Sequence, residues 1–159
     1  MSANFDPTLA LVETPAAAYR EEDGASLAHA VERLGSLLGW AREGKGPFGD
    51  LIPPGARVLI KPNWVLDHNQ STGGMDPMIT HQSVVKAVVT AALQTDAAEV
   101  VVGDAPIQTC DFAALIRNGG LDEWAASLKK TEPRFQGLKD FRRTTAQYIN
   151  GVRVAEENR

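Results

Sequence analysis

The sequence has little of what several classes of protein require. Its one cysteine, Cys110, excludes an internal disulfide, and it excludes a four-cysteine zinc site or iron–sulfur cluster built by this chain alone. The apolar runs are only a few residues long, whereas a helix that spans a bilayer needs about 20. The net charge of -4 shows no excess of basic residues, so the electrostatics favour neither nucleic acid nor an anionic membrane as a partner.

From the amino-terminal residues we expect no secretion signal. Residues Met1 to Asp6 do not show the basic stretch followed by an apolar stretch that is typical of such a signal, so we expect a cytoplasmic protein. The 159 residues, 43% of them hydrophobic, are enough for a globular domain with a real core. We therefore expect a single domain over residues 1–159.

One stretch, Arg57 to Trp64, organises the rest of the chain. The apolar run Val58 to Ile60 predicts a central strand, and Pro62 ends it because proline cannot donate to the ladder. Lys61 and Asn63 therefore lie at the carboxyl end of the strand. In open α/β sheets that end is where ligands bind.

Periodicity and breakers predict the other elements. A strand at 9–14 ends at Pro15, and a helix at 27–41 begins with Ser26 as its N-cap. A loop at 64–79 stands where a lid is expected, before a helix at 81–94 that Thr80 would cap. The remaining predictions are a strand ending at Asp104, helices at 111–118 and 121–130, a β-prone stretch at 139–145 and an Asn-Gly hairpin at 147–154.

The strand, helix and strand over 57–104 form a βαβ unit, with both strand ends at one edge of the sheet. A short set of side chains then converges there beside the start of the intervening helix: Lys61, Asn63, Thr80, His81 and Asp104. A helix amino terminus favours an anion, and Lys61 and Asn63 would add a charge and a donor. A neutral His81 could act as a base. Each residue also has a structural interpretation, as an edge lysine, a turn residue, a cap or a solvated histidine.

Three other chemistries are weaker. Gly39, Gly44 and Lys45 match the spacing of a phosphate-binding loop, but Gly46 replaces the required Ser or Thr and the stretch follows a helix. Cys110 precedes a helix, which favours a thiolate, although a lone cysteine is usually a small buried hydrophobe. No spacing is diagnostic of a metal site among the available ligands, Asp67, His68, Asp76, His81, Asp104 and Cys110.

The motifs Val-Leu-Ile-Lys-Pro-Asn-Trp, Thr-His-Gln-Ser-Val-Val-Lys-Ala-Val and Val-Val-Val-Gly-Asp-Ala-Pro occur in this order over roughly residues 56–106. They resemble the domain of unknown function 362 family. The family often has an aliphatic residue where Trp64 stands and a proline where Gln82 stands. Some members carry a ferredoxin-like iron–sulfur domain, for which this chain lacks the cysteines.

The resemblance implies an α/β fold, with a distant similarity to lactate-racemase-type proteins that suggests carboxylate or metal-cofactor chemistry. Family members are usually longer, so the chain resembles the amino-terminal part of one. We expect three layers, a mainly parallel sheet built on the βαβ unit, and a carboxy-terminal β-hairpin.

Two functional hypotheses follow. The first is a domain that binds a small anionic molecule at Lys61, Asn63, Thr80, His81 and Asp104, with the cofactor and any reaction left open. The second is a non-catalytic, incomplete domain or interaction module that self-associates through an exposed sheet edge.

Overall fold

The structure of the chain is a computed structural model that describes residues 9–15, 17–20, 24–150 and 152–158. Its elements, in chain order, are a 3-10 turn at Ala18–Arg20, α1 at Ala25–Leu37, β1 at Arg57–Ile60, α2 at Gln82–Leu93, β2 at Glu99–Asp104, α3 at Phe112–Asn118, α4 at Asp122–Thr131, β3 at Phe135–Asp140, β4 at Thr144–Ile149 and β5 at Val152–Asn158.

The predicted βαβ unit is confirmed. β1 and β2 pair in parallel, with Val58 opposite Val100 and Ile60 opposite Val102. The helix between them, α2, buries Val85 and Val89 in the core that these strands also line. The carboxyl ends of both strands therefore lie at one edge of the sheet, beside the start of α2.

β2, rather than β1, is the central strand. β3 pairs with the other side of β2, also in parallel, so the strand order is β1-β2-β3 and β1 lies at the edge of the sheet that the described residues form. β3 was only partly predicted, because Phe135–Asp140 contains Gly137 and three polar residues and so lacks the composition of a strand. Only its last two residues fall within the stretch predicted as β-prone. α3 and α4 connect β2 to β3, as parallel pairing requires.

The two faces of the sheet differ. Val58, Val100 and Val102 face the core, where α2, α3 and α4 cover them. α1 packs against α2 on the side away from the sheet. The first layer is therefore α1, the second is α2, α3 and α4, and the third is the sheet. The opposite face carries Leu59, which is 56% exposed, and Phe141, which is also exposed. Within the described residues, both helical layers thus lie on one side of the sheet.

The predicted strand at 9–14 is wrong. Residues 9–15 have no regular secondary structure, and Leu9 and Leu11 are 80% and 81% exposed. The apolar sequence has the composition of a strand, but a strand requires a neighbour for its backbone hydrogen bonds. No described strand pairs with this segment.

α1 begins and ends earlier than predicted. Gly24, in a left-handed conformation, takes the N-cap position in place of Ser26. At the other end Gly39 has φ +69°, and Trp40 donates its N–H to the carbonyl of Gly35. A left-handed glycine is the usual stop for a helix, so the apolar periodicity through Ala41 overstates its length.

The carboxy-terminal hairpin is confirmed. β4 and β5 are antiparallel and Ile149 pairs with Val152 across the turn, where Asn150 has φ 49°. A positive φ at this position is what an Asn-Gly turn requires. Ile149, Val152 and Val154 are exposed. No helix in the described part of the chain is long and apolar enough to cross a membrane.

Candidate functional site

The Lys61–Asp104 ion pair joins the carboxyl ends of β1 and β2. The two atoms Nζ of Lys61 and Oδ1 of Asp104 are 3.0 Å apart, and the lysine side chain is 65% exposed whereas the aspartate is 6% exposed. Lys61 Nζ also lies 3.3 Å from the carbonyl oxygen of Pro62. The predicted convergence of an ammonium and a carboxylate at this edge is therefore present.

Asp104 is held by backbone donors as well as by Lys61. The N–H of Trp64 donates to Oδ2 at 2.8 Å and the N–H of Ala105 donates to Oδ1 at 2.8 Å. Burial alone would raise the pKa of Asp104, but the hydrogen bonds from Trp64, Lys61 and Ala105 outweigh it and lower the pKa. The carboxylate is thus ionised and fastens the turn after β1 to the end of β2.

Asn63 and Thr80 hold the two ends of the 64–79 loop together. The N–H of Asn63 donates to Oγ1 of Thr80 at 2.8 Å, and the N–H of Thr80 donates to the carbonyl of Asn63 at 2.9 Å. The prediction that Thr80 caps α2 is wrong, because its hydroxyl accepts from Asn63 across the loop and His81 takes the N-cap position. The tip of the loop is fixed by Asn69, which accepts from the N–H of Ser71. Whether the loop acts as a lid stays a prediction.

His81 is the N-cap of α2. Its Nδ1 accepts from the N–H of Ser83 at 3.3 Å and lies 2.7 Å from the Ser83 hydroxyl oxygen. A ring nitrogen that accepts a backbone N–H carries no proton, so the neutral ring holds its proton on Nε2. The ring stands edge-on to Tyr19, with centroids 5.5 Å apart.

A cavity of about 600 Å³ opens beside His81, between the 3-10 turn, α1 and α2. Its lining includes Tyr19, Arg20 and Lys86, and it includes neither Lys61 nor Asp104. The predicted set is thus divided in two. At the sheet edge Lys61 pairs with Asp104 and Asn63 with Thr80, whereas His81 also lines this cavity. Each member of the set is placed at the start of α2 or at a strand end, but ligand binding by these residues stays a prediction.

Sequence reasoning missed the two cations of the cavity. In the sequence, Lys86 lies on the side of α2 opposite the buried valines, which favours a solvated position. In the structure it is half-buried, and its Nζ donates to Oε1 of Gln82 at 2.6 Å. Its spacing of one helical turn from Gln82, the first residue of α2, was the available signal. Arg20 ends the 3-10 turn, which is too short for a periodicity that would indicate the direction of its side chain.

The weaker chemistries gain no support. Burial and the negative charge of Asp67 raise the pKa of Cys110 to about 11, so the buried thiol stays protonated. Lys45, the lysine of the rejected phosphate-loop match, forms an ion pair with Asp96 at 2.7 Å. Among the residues that the structure describes, no three His, Cys, Asp or Glu side chains are grouped to hold a metal ion.

Trp64 packs edge-on against Phe112, with ring centroids 5.8 Å apart. It is buried, and its Nε1 has no hydrogen-bond partner among the described residues. The Trp64 side chain belongs to the hydrophobic core cluster, a position that also suits the aliphatic residue that the resemblance implies there.

Comparison with known proteins gives a family but no individual relative. No curated protein and no solved structure matches the chain. The family described as Domain of unknown function (DUF362) matches residues 58–157, which is more than half of the sequence and runs from β1 into β5. This match covers the βαβ unit, the Lys61–Asp104 pair and the hairpin, and it agrees with the resemblance of the three motifs. The chain therefore belongs to the DUF362 family.

Proposed function

We propose that this protein binds a small anionic molecule at the edge where β1 and β2 end and α2 begins. The observation that carries the proposal is the ammonium of Lys61, which is 65% exposed yet held in place by the buried Asp104. An ammonium has three N–H donors, and Asp104 and the Pro62 carbonyl accept from two of them. The contacts within the described part of the chain thus leave one donor for an anionic ligand.

The surroundings of Lys61 support an anion. α2 begins close by and has 12 residues, so the partial positive charge of its amino terminus acts on this edge. Asn63 is exposed beside Lys61 and its amide can donate to carboxylate or phosphate oxygens. Asp104 offsets part of the lysine charge, so we expect weak to moderate affinity that depends on salt. The geometry favours binding and specifies no reaction.

The test compares two cations of the same strand. Arg57 is the first residue of β1 and Lys61 follows its last, and each pairs with an acidic residue of β2. We expect sodium phosphate or sodium oxalate to shift the amide signals of Lys61, Asn63 and Gln82 in a ¹⁵N–¹H NMR titration. Lys61→Gln should weaken the affinity about fivefold or more, and Arg57→Gln should leave it unchanged.

Both variants remove one positive charge, so a general effect of net charge would appear equally in each. Equal affinity of Lys61→Gln and the unaltered protein would remove the edge site. A dispersed spectrum of the variant is required first, because the substitution also removes the cation partner of a buried carboxylate.

A second candidate function is self-association through the sheet edge. β1 is an edge strand, and Leu59 on its open face is 56% exposed. Exposed edges of this kind pair with other chains. Sedimentation velocity should then show a concentration-dependent dimer that Leu59→Lys abolishes and that Ile149→Lys, at a position of similar exposure on the hairpin, preserves. A single monomeric species at all concentrations would exclude this function.

A further inference from the structure

The cavity between the 3-10 turn, α1 and α2 has the dimensions of a small-molecule site. Its volume of about 600 Å³ lies within the usual range of ligand pockets. Small residues, Gly24, Ala28 and Ala87, form part of its lining and leave room for a ligand. Lys61, Asn63 and Asp104 do not line it, so it is separate from the edge site proposed above.

The described lining of the cavity carries two cations and is positively charged. Arg20 and Lys86 line it, and no carboxylate belongs to the described residues of its lining. Lys86 is half-buried, and its described contacts are the neutral amide of Gln82 and the ring of Trp124, whose centroid lies 5.9 Å from Nζ. Burial lowers the pKa of Lys86, because the ammonium has lost part of its water, and neither of its described contacts is an anion. A bound anion would supply the missing charge.

The rings of His81 and Tyr19 also belong to the lining. His81 uses Nδ1 to accept from Ser83, so its Nε2 carries the proton of the neutral ring and can donate. Tyr19 stands edge-on to His81 and is 46% exposed. Its ring offers a flat apolar surface next to the charged groups, as a ligand with an aromatic body would require.

We propose that this cavity binds a small organic dianion, a phosphate monoester or a dicarboxylate with a planar body, whose charge is held by Arg20 and Lys86. Arg20 presents a planar fork that matches two oxygens of a phosphate or carboxylate, and Lys86 adds a point charge. His81 donates a further hydrogen bond, and the planar body packs over Tyr19.

Isothermal titration of the full chain with phenyl phosphate tests this proposal. Arg20→Gln and Lys86→Gln should each weaken binding roughly tenfold, because each removes a charge-assisted hydrogen bond. Arg33→Gln removes an exposed cation of α1 outside the cavity lining and should leave the affinity unchanged. Lys86→Arg, which keeps the charge, should retain most of the affinity and shows that the position tolerates substitution.

A further variant separates the anion from the planar body. Tyr19→Ala should weaken phenyl phosphate and leave inorganic phosphate unchanged. Phthalate in place of phenyl phosphate distinguishes a dicarboxylate from a phosphate preference, and binding of either supports the site. Lys61→Gln should not alter phenyl phosphate binding, so failure of the edge site and failure of the cavity site are distinguishable.

Two results would overturn the proposal. One is phenyl phosphate affinity that is the same in Arg20→Gln, Lys86→Gln and the unaltered protein, or no binding to any of them. The other concerns Glu21, Glu22 and Asp23, which follow Arg20 in the sequence and lie outside the described residues. Binding that appears only after these three are changed to Gln, Gln and Asn would show that the chain's own carboxylates occupy the cations.

Discussion

The ammonium of Lys61 lies 3.0 Å from the carboxylate of Asp104, and this ion pair joins the carboxyl ends of two parallel strands. The opposite ends of the same strands are joined by Arg57 and Glu99, at 2.7 Å. The pairs differ in burial, because Asp104 is 6% exposed and the side chains of Arg57 and Glu99 are 82% and 41% exposed. The fold thus contains two matched ion pairs in different dielectric surroundings.

Double-mutant cycles should separate the two pairs. We expect a coupling free energy of about 1–2 kcal/mol between Lys61 and Asp104, since one partner is buried while the exposed lysine remains screened by solvent. The coupling between Arg57 and Glu99 should be about 0–1 kcal/mol. Urea unfolding of the alanine variants, singly and in pairs, measures both. Equal coupling energies would show that the burial of Asp104 does not strengthen its pair.

The contribution of Asp104 should depend on pH. Its pKa in the folded protein lies below its ordinary value of 3.8, so the folded state binds its proton less tightly than the unfolded state. The resulting stability is fully present above the unfolded pKa and is lost as the pH falls through the folded pKa. The difference in unfolding free energy between the unaltered protein and Asp104→Asn should therefore be constant from pH 7 to about pH 5 and decrease below about pH 4.

The comparison with Asp104→Asn is needed because the pKa values of Asp67 and Glu132 are also lowered. Subtracting the variant removes their contribution at each pH. A difference that stays constant down to pH 3 would contradict the assignment to Asp104.

Arg142 should be among the most costly side chains to remove. Its buried guanidinium lies 2.7 Å from Asp140 and donates to the carbonyls of Ile107 and Cys110 at 3.0 and 2.9 Å. It thereby attaches the loop after β2 to the end of β3. We expect Arg142→Met to lower the free energy of unfolding by about 3–5 kcal/mol, because it removes the cation that pairs with the Asp140 carboxylate, whose side chain is 4% exposed.

The neighbouring Arg143 is exposed and supplies the control. Arg143→Met should change the stability by about 0.5 kcal/mol or less. Chemical denaturation measures the free energy of unfolding of both variants. A similar loss in the two would mean that hydrophobic substitution in this segment, rather than the Arg142 contacts, sets the cost.

Cys110 should be unreactive in the folded protein. With a pKa of about 11, its thiolate fraction at pH 8 is about a hundredfold below that of a cysteine at 9.0, and burial restricts access further. Iodoacetamide should label it slowly in buffer and at the ordinary rate in denaturant, as followed by mass spectrometry. Rapid labelling of the folded protein would contradict the buried, protonated thiol.

Local sequence determined the elements that depend on short-range signals. The short apolar runs Val58–Ile60 and Val100–Val102 specify β1 and β2, because Pro62 and Gly103 follow them and their length suits a strand better than a helix. The same holds for α2, whose valines recur at helical spacing, and for the Asn150 turn. Even the shared location of Lys61 and Asp104 follows from sequence, since parallel strands place their carboxyl ends together.

Only the tertiary structure decided which groups pair and which remain open. The segment 9–14 has the composition of a strand but no described neighbour, and β3 has a weak strand sequence but finds β2. Thr80 could cap α2 by its position, yet its hydroxyl accepts from Asn63. The cavity of Arg20 and Lys86 arises from two segments distant in sequence. Local patterns fix backbone conformation, whereas hydrogen-bond partners, burial and charge neighbours depend on contacts that no short window of sequence contains.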